Sequence, residues 1–69
     1  MKDGSYLVWE LAGVSDESYE KAIQNAISTA GKVVNEMIWF EVVEQRGRIV
    51  EGKAAEYQVV IKIGARTSR

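Results

Sequence analysis

The side chains with chemistry to offer are few, and Trp39 and Gln58 lead them. An indole on a strand surface does one of two jobs. It fills a groove on another subunit, or its π-face stacks on a flat aromatic ligand, a contact worth roughly 0.5–1.5 kcal/mol beyond simple burial. A carboxamide presents one acceptor and two donors in a plane. That set suits the edge of a heterocycle carrying alternating carbonyl and imide groups. Arg46, Arg48 and Arg66 are able to grip a phosphate with two parallel hydrogen bonds, or to serve as ion-pair partners near strand ends. Glu41, Glu44 and Glu56 supply carboxylates, but glutamates that alternate along strands face solvent.

Catalysis finds little to work with. The chain has neither histidine nor cysteine. Imidazole acid–base chemistry, disulfides, iron–sulfur clusters and thiolate zinc are all excluded. The serines and threonines lack an evident base, and we expect no enzyme and no metal site. "LAGVSDES" is a strand-to-helix turn with a single glycine, too sparse for a nucleotide-binding fingerprint. Nine Lys+Arg against ten Asp+Glu leave a net charge of −1, without the basic stripe of a nucleic-acid binder. No apolar run approaches the roughly 20 residues of a membrane span. "MKDGSY" lacks the apolar stretch of a signal peptide, so a cytoplasmic location is the default expectation.

Positioning these groups falls to a chain of 69 residues, which reads as a single domain over 1–69. A chain this short buries only roughly 60% of the surface it exposes when unfolded. Without cysteine or a metal to staple it, self-association is the remaining support. Tyr6 to Leu11 reads as a strand that Gly13 breaks. Ser15 reads as a helix N-cap with Asp16 and Glu17 in the first turn. Tyr19, Ala22, Ile23, Ala26, Ile27, Ala30 and Val33 or Val34 then form one apolar stripe on a helix of about five turns. A long strand follows from Ile38 to about Val50. Glu51-Gly52-Lys53 turns the chain, with Gly52 free to take positive φ. The last strand runs from Ala55 to Ile63 and ends at Gly64.

The fold class is therefore α+β, in the order β-α-β-β. The first and middle strands, joined through a helix, run parallel. The hairpin sets the last strand antiparallel to the middle one. Placing the last strand between the other two gives a three-stranded antiparallel sheet with one helix packed on one face.

Strict alternation then sorts the faces. Tyr57, Val59, Ile61 and Ile63, with Ile38, Phe40 and Val42, belong under the helix. Leu7, Trp9 and Leu11 join them, which makes Trp9 a core residue. Trp39, Glu41, Val43 and Gln45, with Glu56, Gln58, Val60 and Lys62, fall on the side no helix covers. A mixed patch with an aromatic anchor marks a partner or ligand surface.

These pieces resemble the dodecin family. The likeness runs from about Tyr6 to Arg66. It is carried by "ELAGVSDES" at the strand-to-helix junction, "WFEVVEQRGRI" in the middle strand and "AEYQVVIKIGAR" at the end. The resemblance implies a hollow homododecamer that binds flavins, with no membrane and no nucleic acid among its partners. It implies that Trp39 stacks on the isoalloxazine ring. Two flavins then lie between two such tryptophans across a two-fold interface. Gln58 bonds the pyrimidine edge, and Arg46 lies near the ligand. FMN or riboflavin is the implied cofactor, with FMN favoured because Arg46 is able to answer a phosphate. The implied role is flavin storage and photoprotective sequestration. Two other readings stand beside it: a shell that carries another nucleotide-like ligand such as coenzyme A, and a flavin-dependent enzyme.

Overall fold

A computed structural model describes residues 4–67. The elements are β1 (Tyr6–Ser15), α1 (Tyr19–Ala30), β2 (Met37–Val50) and β3 (Lys53–Arg66). The sheet order is β1-β3-β2, with both pairings antiparallel. This is the arrangement the pattern predicts, with β3 at the centre and α1 on one face.

The helix starts later and stops sooner than its apolar stripe suggests. Ser18, not Ser15, is the N-cap. Its backbone is extended at φ −167°, and its Oγ accepts from the Lys21 N–H at 3.0 Å. Ser15 instead holds the turn before the helix, where its Oγ accepts from the Glu17 N–H at 2.9 Å. Helical bonding ends at Ala30. Tighter bonds such as Val33 N–H to the Ala30 carbonyl, 3.0 Å, carry the chain onward. Val34 is still buried against the core by that turn, while Val33 is left 72% exposed. A stripe read from sequence does not distinguish a helix from the coil that extends its buried face.

Gly13 lies inside β1 and does not break it. A Cβ there would collide with the Ala22 carbonyl and sit 2.8 Å from the Ala26 Cβ. Glycine lets the helix approach this closely, and the helix answers with alanine at every fourth position. Ala22, Ala26 and Ala30 are buried with Val34 against Val59, Ile61, Ile63 and Ala65. This core is small. The hairpin turn is a two-residue type, with Val50 opposite Lys53 and positive φ at Glu51 (52°) and Gly52 (78°). Those are the dihedrals of a type I′ turn, whose twist suits a right-twisted ribbon.

The sheet outruns the helix. The molecule measures 52 × 20 × 13 Å with a radius of gyration of 14.3 Å. A compact chain of this length would have roughly 11 Å. The difference is the β2–β3 arm, which extends beyond α1 with Ile49 78% exposed near its tip. Trp9 corrects an expectation here. It pairs with Ile63 on the helix side as expected, but it is 42% exposed and not part of the core. A helix of 12 residues spans about 18 Å, against about 33 Å for the ten residues of β1. The first half of the strand is left uncovered.

Candidate functional site

The uncovered face of the sheet is set by the cross-strand pairs. Val59, Ile61 and Ile63 point to the helix, so Gln58, Val60, Lys62 and Gly64 point away from it. Trp39 lies opposite Gly64, and Glu41 lies opposite Lys62. Both fall on the outer face, as the alternation predicts. The alternation then fails at Val43. The register shifts between Val42 and Glu44, leaving Val43 as the extra residue of a bulge. Beyond it Gln45 pairs with Val59 on the helix side, while Glu44 and Arg46 pair with Val60 and Gln58. Gln45 therefore leaves the outer face, and Glu44 and Arg46 enter it.

Arg46 thus stands directly across from Gln58. A one-residue insertion flips every later side chain to the other face, and here it delivers a guanidinium beside the carboxamide. Strict counting places Arg46 under the helix. Glu44, on the same face, takes the Arg46 Nη2 on its Oε1 at 2.7 Å. Arg48 pairs with Glu56 at 3.7 Å and Arg66 with Glu36 at 3.2 Å. All three arginines are ion-pair partners within the chain. These pairs are half-exposed, and each is worth little in a free chain.

Trp39 and Gln58 share a face without being neighbours. Trp39 lies opposite Gly64, which is six positions along β3 from Gln58. At the rise of a strand that is about 20 Å. Val60, Lys62, Glu41 and Glu44 occupy the interval. No ring system stacked on Trp39 reaches Gln58 of the same chain. They are two separate candidate half-sites, Trp39 at one end and Gln58 with Arg46 at the other. Any ligand that touches both takes them from different copies.

Gly64 completes the tryptophan half-site, and the sequence reading gave it no role beyond ending the strand. It is buried inside β3, and a Cβ placed on it would collide with Cε2, Cζ2 and Nε1 of the Trp39 indole. A second apolar feature lies on the helix side. Ile27, Met37, Ile38, Trp39, Phe40 and Ile63 line an open groove of about 210 Å³. Ile38, expected under the helix, sits instead at another register shift, and Met37 is the residue that lies opposite the buried Ala65. Among the described residues, no helix is long and apolar enough to cross a membrane.

A three-stranded antiparallel sheet with one alanine-faced helix and an uncovered Trp/Gln face defines a class of small β-α-β-β proteins. The dodecin family model matches residues 6–68, and the chain belongs to that family. A curated dodecin of Thermus thermophilus is 49% identical over 57 residues, 83% of each chain. The structure of dodecin from Streptomyces coelicolor superposes with a TM-score of 0.92 at 35% identity, covering 100% of this chain and 99% of that one. A crystal structure of a Thermus thermophilus protein gives 0.92 at 43% identity, covering 97% and 98%. A variant of the Thermus dodecin with a tryptophan replaced by phenylalanine gives 0.91 at 42% identity, covering 97% and 100%.

Proposed function

We propose that this protein binds flavins in pairs at subunit interfaces of a closed dodecamer, and that it stores and shields them without catalysing a reaction. The observation that carries the reading is the division of the outer face into two half-sites. Trp39 offers a ring face, and Gln58 with Arg46 offers a planar set of donors and an acceptor matched to a pyrimidine edge. The spacing makes assembly a condition of binding. Membership of the dodecin family supports twelve copies, and the elongated chain with its small core supports the need for copies.

A flavin fits these groups. Trp39 is 41% exposed, an open surface for an isoalloxazine. The same indole is an electron-rich neighbour that would quench an excited ring. When bound, the flavin supplies the blue absorption and the redox-active ring that such a site sequesters. Stacking one face on Trp39 and the other on a second flavin leaves no room for a substrate. That geometry argues against a flavin-dependent enzyme. Arg46 favours FMN, but Glu44 already neutralises much of its charge, so the preference over riboflavin is expected to be small. Coenzyme A is the second ligand to test, because it too would present phosphates to Arg46. A cytoplasmic location is part of the same reading.

Flavin titration tests the proposal, with fluorescence quenching as the readout. Wild type should saturate at one flavin per chain. Gln58→Leu, nearly isosteric, strands the imide edge without partners, a cost of roughly 1–3 kcal/mol. It should bind about tenfold more weakly and still quench what it binds. An imide-free flat aromatic should bind both proteins alike. Unchanged flavin affinity in an intact Gln58→Leu oligomer would reduce Gln58 to a strand residue, and absence of quenching in wild type would remove the flavin altogether.

A further inference from the structure

We propose that Gly64 is a positioning residue, the seat that holds the Trp39 indole flat against the sheet so that one ring face is free to stack. The inference rests on the flavin reading for its purpose, but its geometry stands on the free chain.

The position has no conformational reason to be glycine. Among the described residues the only glycine with positive φ is Gly52, so the backbone at Gly64 is open to any L-residue. The reason is room. A Cβ at Gly64 would lie nearest Cε2 of Trp39 and slightly further from Nε1 and Cζ2, the two atoms bonded to Cε2 on that side. A point beyond the ring edge would be closer to those two atoms than to Cε2. The order found is that of a point above the ring plane. The indole therefore lies face-down on the Gly64 backbone, close to parallel with the sheet. Its partner strand is the source of the fit, because Trp39 and Gly64 are direct cross-strand partners.

Two consequences follow for the site. One indole face is occupied by the backbone of β3, so each chain has one stacking surface and not two. The orientation of that surface is fixed by the sheet and not by the ligand, so the ring need not be ordered when the ligand arrives. Pre-ordering of this kind raises affinity by removing an entropic cost. Any larger residue at 64 would tip the indole off the sheet and turn its edge toward the space where a ring would stack. Val8, the β1 partner of Gly64, is 53% exposed.

The test uses a Trp9→Phe background, which leaves Trp39 as the sole indole. Gly64→Ala in that background should shift the Trp39 emission of ligand-free protein. It should weaken flavin binding about tenfold, the scale of a lost stacking contact, with the oligomer size unchanged. The second variant is Gly64→Ala combined with Trp39→Phe, whose single ring lacks the outer benzo part, Cζ2 included, that the alanine would strike. In that pair Gly64→Ala should lower the melting temperature less than it does opposite Trp39. If Gly64→Ala alone fails to fold, recovery by Trp39→Phe supports the seat and failure to recover overturns it. Unchanged Trp39 emission, or an equal thermal cost in both backgrounds, also overturns it. Emission and thermal coupling are read without ligand, so they judge the seat even if wild type binds no flavin, an outcome that would overturn the function proposed above instead.

Discussion

Trp39→Ala is expected to weaken flavin binding about thirtyfold or more, the scale of a central aromatic anchor, while Trp9→Ala leaves affinity within about threefold. Exposure does not separate the two indoles, at 41% and 42%. The face does. Trp39 pairs with Gly64 on the uncovered side, and Trp9 pairs with Ile63 on the helix side. A ligand on one surface of the sheet does not sense the other. Quenching titrations on both variants, each checked for oligomer size, decide the matter. Equal losses, or a larger loss in an assembled Trp9→Ala protein, would reverse the assignment of the site.

Phe40→Glu is expected to dissociate the assembly at low micromolar concentration and abolish flavin binding with it. Phe40 is 47% exposed on edge strand β2, beside Ile38 at 43% and Val42 at 37%. In a lone chain a glutamate at this position keeps its water, so the fold of the monomer tolerates it. Buried unpaired between copies, the charge would cost several kcal/mol, of the order measured when buried pairs are broken. Binding fails for a geometric reason. A dissociated chain has its half-sites about 20 Å apart and nothing to bring a second copy's Gln58 to Trp39. Light scattering and a flavin titration on one sample suffice, with Phe40→Leu as the conservative control. A Phe40→Glu protein of unchanged size would show that this strip faces water in the working molecule.

The element order, the central place of β3 and the outward face of Trp39 and Gln58 were legible in the sequence because they rest on alternation and turn chemistry. Gly52 announces the hairpin, and Val59, Ile61 and Ile63 announce the core. The site itself was half legible. Counting by twos carries Glu41 to the correct face and then misplaces Gln45, because nothing in "EVVEQRG" marks Val43 as surplus. A bulge is settled by the fit of two whole strands and not by one residue's preference. Gly13 and Gly64 misled for a related reason. Glycine in a strand reads as a breaker when its neighbours in space are unknown, and here each one admits a group from another element, the helix at Gly13 and the indole at Gly64. The distance between Trp39 and Gln58 was countable from the register, but only once the register was in hand.

The strand order also sets the sequence in which the chain can assemble itself. The β2–β3 ribbon closes through two residues, with Val50 opposite Lys53, and needs no distant contact to begin. β1 has no such help. Its partners on β3 lie between 42 positions away (Ser15 and Tyr57, 57 − 15) and 60 (Tyr6 and Arg66, 66 − 6). Loops of that size must be closed before their contacts return anything, which makes non-local pairing slow. The hairpin is thus expected to be the nucleus and β1 the late arrival, docking with the helix it leads into. Substitutions in β1 such as Leu11→Ala should mainly speed unfolding, and those in the ribbon such as Val59→Ala should mainly slow folding. A stopped-flow comparison showing the reverse would make β1 the nucleus.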